Sequence, residues 1–149
     1  MTKSLEEIGT ALLEERISVE EAKKLTAGMK ISSFNRRKKA IVSLLEGRIQ
    51  LVNLSGKILS YINYDFLTDE RGVPFVMIQR VESSVDGNSY LRTLYSKFEN
   101  TMKKKDVDYI LLEVDEMNDR AISLYESLGF VVSGQSFEEE RIFMRKDLD

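Results

Sequence analysis

The sequence predicts a single mixed α/β domain, and three observations carry that expectation. A block of strand-period residues from 48 to 82 lies between segments of helical period. A further apolar run, residues 107–114, is followed at once by a helix with its own start and stop signals, and then by two more strand runs. At 149 residues the chain is long enough to bury a core without covalent staples, and no repeat, low-complexity run or linker divides it.

Residues 4–15 carry Leu5, Ile8, Leu12 and Leu13 on one helical face, with acids on the other. Ser18-Val19-Glu20-Glu21 is a capping box, so a second helix is expected to about Gly28. Glu15-Arg16-Ile17 could form a fragment of strand between them, but it is short. The first 30 or so residues are thus expected to be helical and docked on the domain, not paired at a sheet edge. Residues 34–46, with Phe34, Ile41, Leu44 and Leu45, read as another amphipathic helix stopped by Gly47. The cationic run Arg36-Arg37-Lys38-Lys39 would wrap around such a helix, and it reads as solvated surface.

From Arg48 the period becomes strand-like. Ile49 to Leu54 precedes the turn pair Ser55-Gly56, and residues 57–66 continue as a second strand, which is a hairpin signal. Thr68-Asp69-Glu70-Arg71-Gly72 is a loop, and Pro74 sits at a strand start, where its missing N–H is tolerated. Residues 75–82 form a third strand, apolar on both faces until Gln79, as expected near the middle of a sheet.

Residues 88–105 give the longest helix, with Leu91, Leu94, Tyr95, Phe98 and Met102 on one face. Lys103-Lys104-Lys105 lies at its negative, C-terminal end. After the strand 107–114, Asn118 or Asp119 can cap a helix whose Ala121, Leu124, Tyr125 and Leu128 mark one buried face. Gly129 stands at the terminating position, and residues 131–133 and 141–145 read as a closing antiparallel pair. A well-capped core helix would satisfy this periodicity by itself.

Composition removes several chemistries. The chain has no cysteine and no histidine, so disulfides, thiolate nucleophiles and Ser-His-Asp triads are excluded, and the commonest metal ligand is missing. A metal is therefore not expected. A net charge of -3 with 32% charged residues is an ordinary solvated surface, without the basic footprint of a nucleic-acid binder. No apolar run approaches a membrane span and no signal-peptide core is seen, so the expected location is cytoplasmic.

The string from Asn118 to Phe130, N-D-R-A-I-S-L-Y-E-S-L-G-F, resembles the C-terminal signature of the GNAT acyltransferase superfamily, N-x-x-A-x-x-L-Y-E-x-x-G-F. In that family the signature follows a strand, and Leu111-Leu112-Glu113-Val114 stands at the matching place. The resemblance implies a mostly antiparallel central sheet with two splayed central strands, flanked by helices. It implies transfer of an acetyl group from acetyl-CoA to a primary amine, of a small molecule or a protein, by direct attack in a ternary complex. A homodimer is left open.

By the same resemblance the backbone at Val81 meets the pantetheine arm, and Asn118 hydrogen-bonds that arm. Tyr125 would protonate the departing thiolate, a general-acid role. The family's pyrophosphate loop, Gln/Arg-x-x-Gly-x-Gly/Ala, opens a helix whose N–H groups cradle phosphates. Laid without gaps, its positions fall on Asp86, Ser89 and Leu91, and only the neighbouring Gly87 is retained. A two-residue shift recovers small residues but puts Arg92 and Thr93 where the family has apolar ones, so the ungapped placement is kept. The expected contacts are then Gly87, Asn88, Ser89, Tyr90 and Leu91, in a loop degenerate for phosphate binding. Glu82 and Glu113 are the nearest carboxylates for a general base. The eroded loop also fits an alternative, a catalytically degenerate GNAT-like fold serving as a protein-interaction or regulatory module.

Overall fold

The computed structural model describes residues 5–25, 30–35, 40–83, 88–136 and 140–148. Among these, the order is α1 (Leu5–Leu13), α2 (Val19–Leu25), β1 (Lys30–Asn35), β2 (Ala40–Leu45), β3 (Arg48–Asn53), β4 (Ile58–Thr68), β5 (Pro74–Ser83), α3 (Asn88–Lys103), β6 (Tyr109–Asp115), α4 (Asp119–Ser127), β7 (Val131–Gln135) and β8 (Arg141–Asp147). Two compact units are formed: Met1–Ile62 with Glu82–Leu94, and Asn63–Val81 with Tyr95–Asp149.

In the first unit the hydrogen-bonded order is β1-β2-β3-β4. Both N-terminal helices form, and residues 26–29, where the second was expected to end, lie outside the described residues. Ser18 Oγ accepts from the Glu21 N–H at 3.1 Å and starts α2. Ile8 and Leu12 of α1 pack with Ala22 of α2 and Ile41 of β2, and Ile17, Val19 and Leu54 close around them. Glu15-Arg16-Ile17 is not strand. Glu15 has φ 60, and the Arg16 and Ile17 N–H groups return to the Ala11 carbonyl, so the segment is the end of a helical turn.

The expected helix over residues 34–46 is corrected by the structure. Phe34 belongs to β1 and pairs with Ile41 of β2, and β2 in turn pairs Ile41 with Val52 and Ser43 with Gln50. Ala40, Ile41, Val42 and Ser43 are buried in succession, so both faces of the strand are covered. A short apolar run covered on both faces cannot be told from a helix by periodicity. Gly47 ends no helix: with φ 73 it turns the chain between Leu45 and Arg48, which pair across a two-residue hairpin loop. The cationic residues 36–39 lie outside the described residues.

The β3–β4 hairpin matches the Ser55-Gly56 signal, and Asn53 Oδ1 organises it by accepting from the N–H groups of Ser55 and Lys57. In the second unit the order is β4-β5-β6-β8-β7. The loop before β5 is held by Asp69, whose Oδ1 accepts from the Arg71 and Val73 N–H groups while Oδ2 accepts from the Tyr109 hydroxyl at 2.9 Å. Along α3, Leu91, Leu94, Tyr95, Phe98 and Met102 are all buried, as their spacing predicts. Among the described residues no helix is long and apolar enough to cross a membrane.

Candidate functional site

β5 and β6 are parallel, and their ladder pairs Phe75 with Tyr109, Val76 with Ile110, Met77 with Leu111 and Ile78 with Leu112. Among the described residues it stops there, although β5 continues to Ser83 and β6 to Asp115. β6 stays with β8 instead, placing Glu113, Val114 and Asp115 opposite Phe143, Ile142 and Arg141. The two strands therefore part, and the β5 main chain at Gln79, Arg80 and Val81 faces no β6 partner. Main-chain groups on the side of a strand that its neighbour has left are hydrogen-bonding positions for an extended ligand chain.

β6 leads directly into α4. Asp115 Oδ1 accepts from the Met117 N–H at 2.8 Å, and Asn118 Oδ1 accepts from the Ala121 N–H at 3.2 Å as the helix cap. The cap uses only the carbonyl half of the Asn118 amide, which leaves its NH₂ as a donor. At the other end the Gly129 N–H donates to the Glu126 carbonyl and the Phe130 N–H to that of Tyr125, the paired bonds of a Schellman cap. Gly129 has φ 100, a conformation that only glycine adopts without strain. The face expected to be buried is half-buried: none of Ala121, Leu124, Tyr125 and Leu128 is fully covered. Spacing fixes which residues share a face, not how much lies over it.

Tyr125 packs its ring edge-on against Phe130, with centroids 6.0 Å apart. Burial pushes its phenol above the ordinary tyrosine pKa, so the hydroxyl stays protonated at neutral pH. The base of the helix is tied to the last strand by Lys146, whose Nζ donates to the Leu128 carbonyl at 2.7 Å and pairs with Glu99. Glu99 also accepts from the Tyr95 hydroxyl at 3.0 Å and lies 3.5 Å from Lys103. Burial opposes ionisation of Glu99, but the hydrogen bonds from Lys146 and Tyr95 and the two lysine charges outweigh it, and its pKa falls below the ordinary value.

The remaining expected residues are placed less uniformly. Glu113 is half-buried, and its carboxylate accepts from Arg141 Nε at 3.1 Å and from the Ser136 hydroxyl. Glu82 is exposed near the end of β5, in the other unit, and its main-chain oxygen accepts from buried Ser60 at 2.9 Å. It lines an open cleft of about 310 Å³ with Ile58, Leu59, Ser60, Tyr61 and Ser83. Asp86 and Gly87 lie outside the described residues. Asn88 and Ser89 begin α3, Tyr90 is half-buried, and Leu91 is buried within the first turn. Sequence reasoning missed Ser136, Arg141 and Lys146, whose partners Glu113, Leu128 and Glu99 lie far from them in the chain.

The model of the acetyltransferase (GNAT) family matches residues 19–130, which span the parted strands and the signature helix. The chain belongs to the GNAT acetyltransferases. Solved GNAT structures share its fold at low identity. The ribosomal-protein-S18-alanine N-acetyltransferase from Escherichia coli is 19% identical, covers 87% of this chain and 86% of its own, and superposes with a TM-score of 0.55. A GNAT-family acetyltransferase from Listeria monocytogenes is 16% identical over 97% of this chain and 86% of its own, with a TM-score of 0.57. A chain of the NatC complex bound to Gag peptide and CoA is 18% identical over 70% of this chain and 72% of its own, with a TM-score of 0.61. No curated protein sequence matches.

Proposed function

We propose that this GNAT protein is an N-acetyltransferase that uses acetyl-CoA and acts on a primary amine by direct attack in a ternary complex. The observation that carries this reading is the parting of β5 and β6 after Ile78 and Leu112. It leaves a strand edge of main-chain donors and acceptors to which an extended pantetheine arm can bind as a further strand would. The NH₂ of Asn118 and the hydroxyl of Tyr125, which has no hydrogen-bond partner among the described residues, fit the same ligand.

Acetyl-CoA supplies an activated acyl group; the protein supplies orientation and proton transfer. The main-chain N–H groups near Val81 polarise the thioester carbonyl. The proton released as the amine nitrogen bonds to the carbonyl carbon passes to a carboxylate or to water. As the carbon–sulfur bond breaks, the electron pair leaves with sulfur, and Tyr125 donates its proton there. Burial of the phenol keeps that proton in place until it is needed.

Leu91 favours the second reading, a GNAT fold turned to regulation or protein contact. On the ungapped placement it takes the family's crowded small-residue position, and its side chain is buried. Calorimetric titration with acetyl-CoA and with CoA decides between the two. Saturable binding supports the transferase, and silence near millimolar ligand supports the module.

A further inference from the structure

Glu113 was expected as a base, yet its surroundings suit a different task. It is the first β6 residue beyond the last β5–β6 pair. At that point one strand must leave its neighbour while keeping the other. Arg141, at the start of β8, sets its Nε on the Glu113 carboxylate and its Nη2 within 3.4 Å of the Glu113 main-chain oxygen. Ser136, just past β7, donates to the same carboxylate oxygen. The β6–β8 ladder then runs on to Asp115 and Arg141, and the Glu116 N–H donates to the Glu140 carbonyl at 2.7 Å beyond it. The side-chain bonds thus add to the β6–β8 attachment on the stretch where β5 is lost.

We infer that Glu113, held by Arg141 and Ser136, is a positioning residue that keeps β6 turned toward β8 and so keeps the β5 edge at Gln79, Arg80 and Val81 open to acetyl-CoA. This rests on the proposed use of that edge. The Glu113 carboxylate already accepts from a guanidinium and a hydroxyl. The same bonds suit a geometric role, because an Arg fork fixes direction as well as charge.

The test is acetyl-CoA affinity measured by calorimetry across a mutant cycle. Glu113→Ala and Arg141→Met should each weaken binding roughly tenfold, and the double variant should be no weaker than either single one, since both remove one contact. Glu113→Gln, which can still accept from Ser136 and Arg141, should bind within about threefold of wild type. Should Glu113→Ala not fold, Arg141→Lys gives the same readout, because an ammonium cannot serve the carboxylate and the main-chain oxygen with one fork; a partial loss is expected. Folded single variants that bind acetyl-CoA like wild type, or losses that simply add, overturn the inference alone. A wild-type protein that does not bind overturns the transferase reading with it.

Discussion

Lys146 Nζ donates to the Leu128 carbonyl at 2.7 Å, so a strand residue closes the C-terminal end of the signature helix. The same ammonium pairs with Glu99 of α3, and both side chains are largely shielded, at 24% and 16% exposed. Lys146→Met keeps most of the aliphatic stem and removes the charge. A hydrogen bond to a charged group contributes about 1.5–3 kcal/mol, so a loss of about 2 kcal/mol is expected. At this chain length that is a fall in Tm of roughly 5 °C, read by thermal melting. An unchanged Tm would mean that Lys146 adds nothing to the cap.

The Glu99 pair makes a signed prediction about pH. Its folded pKa is depressed from the ordinary 4.5, so its stabilising contribution is complete above that value and is lost as pH falls through the folded pKa. The stability gap between wild type and Glu99→Gln should therefore be widest near neutrality and shrink below about pH 4.5. Denaturant titrations of both proteins from pH 7 to pH 3 measure it. A gap constant over that range contradicts the assignment.

Asn118 has two separable tasks, capping α4 with its carbonyl and, in the proposed function, donating to the pantetheine arm with its NH₂. Asn118→Asp keeps a good cap, and stability should stay within about 0.5 kcal/mol of wild type. The same change deletes the donor, and acetyl-CoA affinity should fall about tenfold. Asn118→Ala should lose both, with about 1 kcal/mol of stability. Equal affinity in Asn118→Asp and wild type would remove Asn118 from the binding site.

Tyr125→Phe preserves the ring that packs on Phe130 and removes only the hydroxyl. Folding and acetyl-CoA affinity should hardly change, while turnover falls by about 10²–10⁴, the usual contribution of a general acid. Steady-state kinetics under conditions where chemistry limits the rate provide the check. Full turnover in the variant would leave Tyr125 as a packing residue.

Local chemistry was legible in the sequence wherever one residue does a local job. Asn118 caps, Gly129 terminates, Ser18 starts α2, and the five apolar residues of α3 are all buried. β2 was not legible, because burial on both faces erases the alternation that distinguishes a strand. The parting of β5 from β6 is a difference between two registers, and no single segment carries it. The Glu113–Arg141 contact joins residues 28 apart, and only the strand order brings them together. The sequence offered Glu113 only as a carboxylate near the expected site, and its pairing with Arg141 became visible only in the fold.

A strand edge with no partner is ordinarily a hazard, since it offers any passing β-segment a template for chain-to-chain association. Here Gln79 and Arg80 are exposed and polar, Val81 is half-buried, and Glu82 follows it exposed, with opposite charges two residues apart. Charged side chains along an edge disfavour the docking of a foreign strand. The opening in the sheet thus carries its own guard against aggregation.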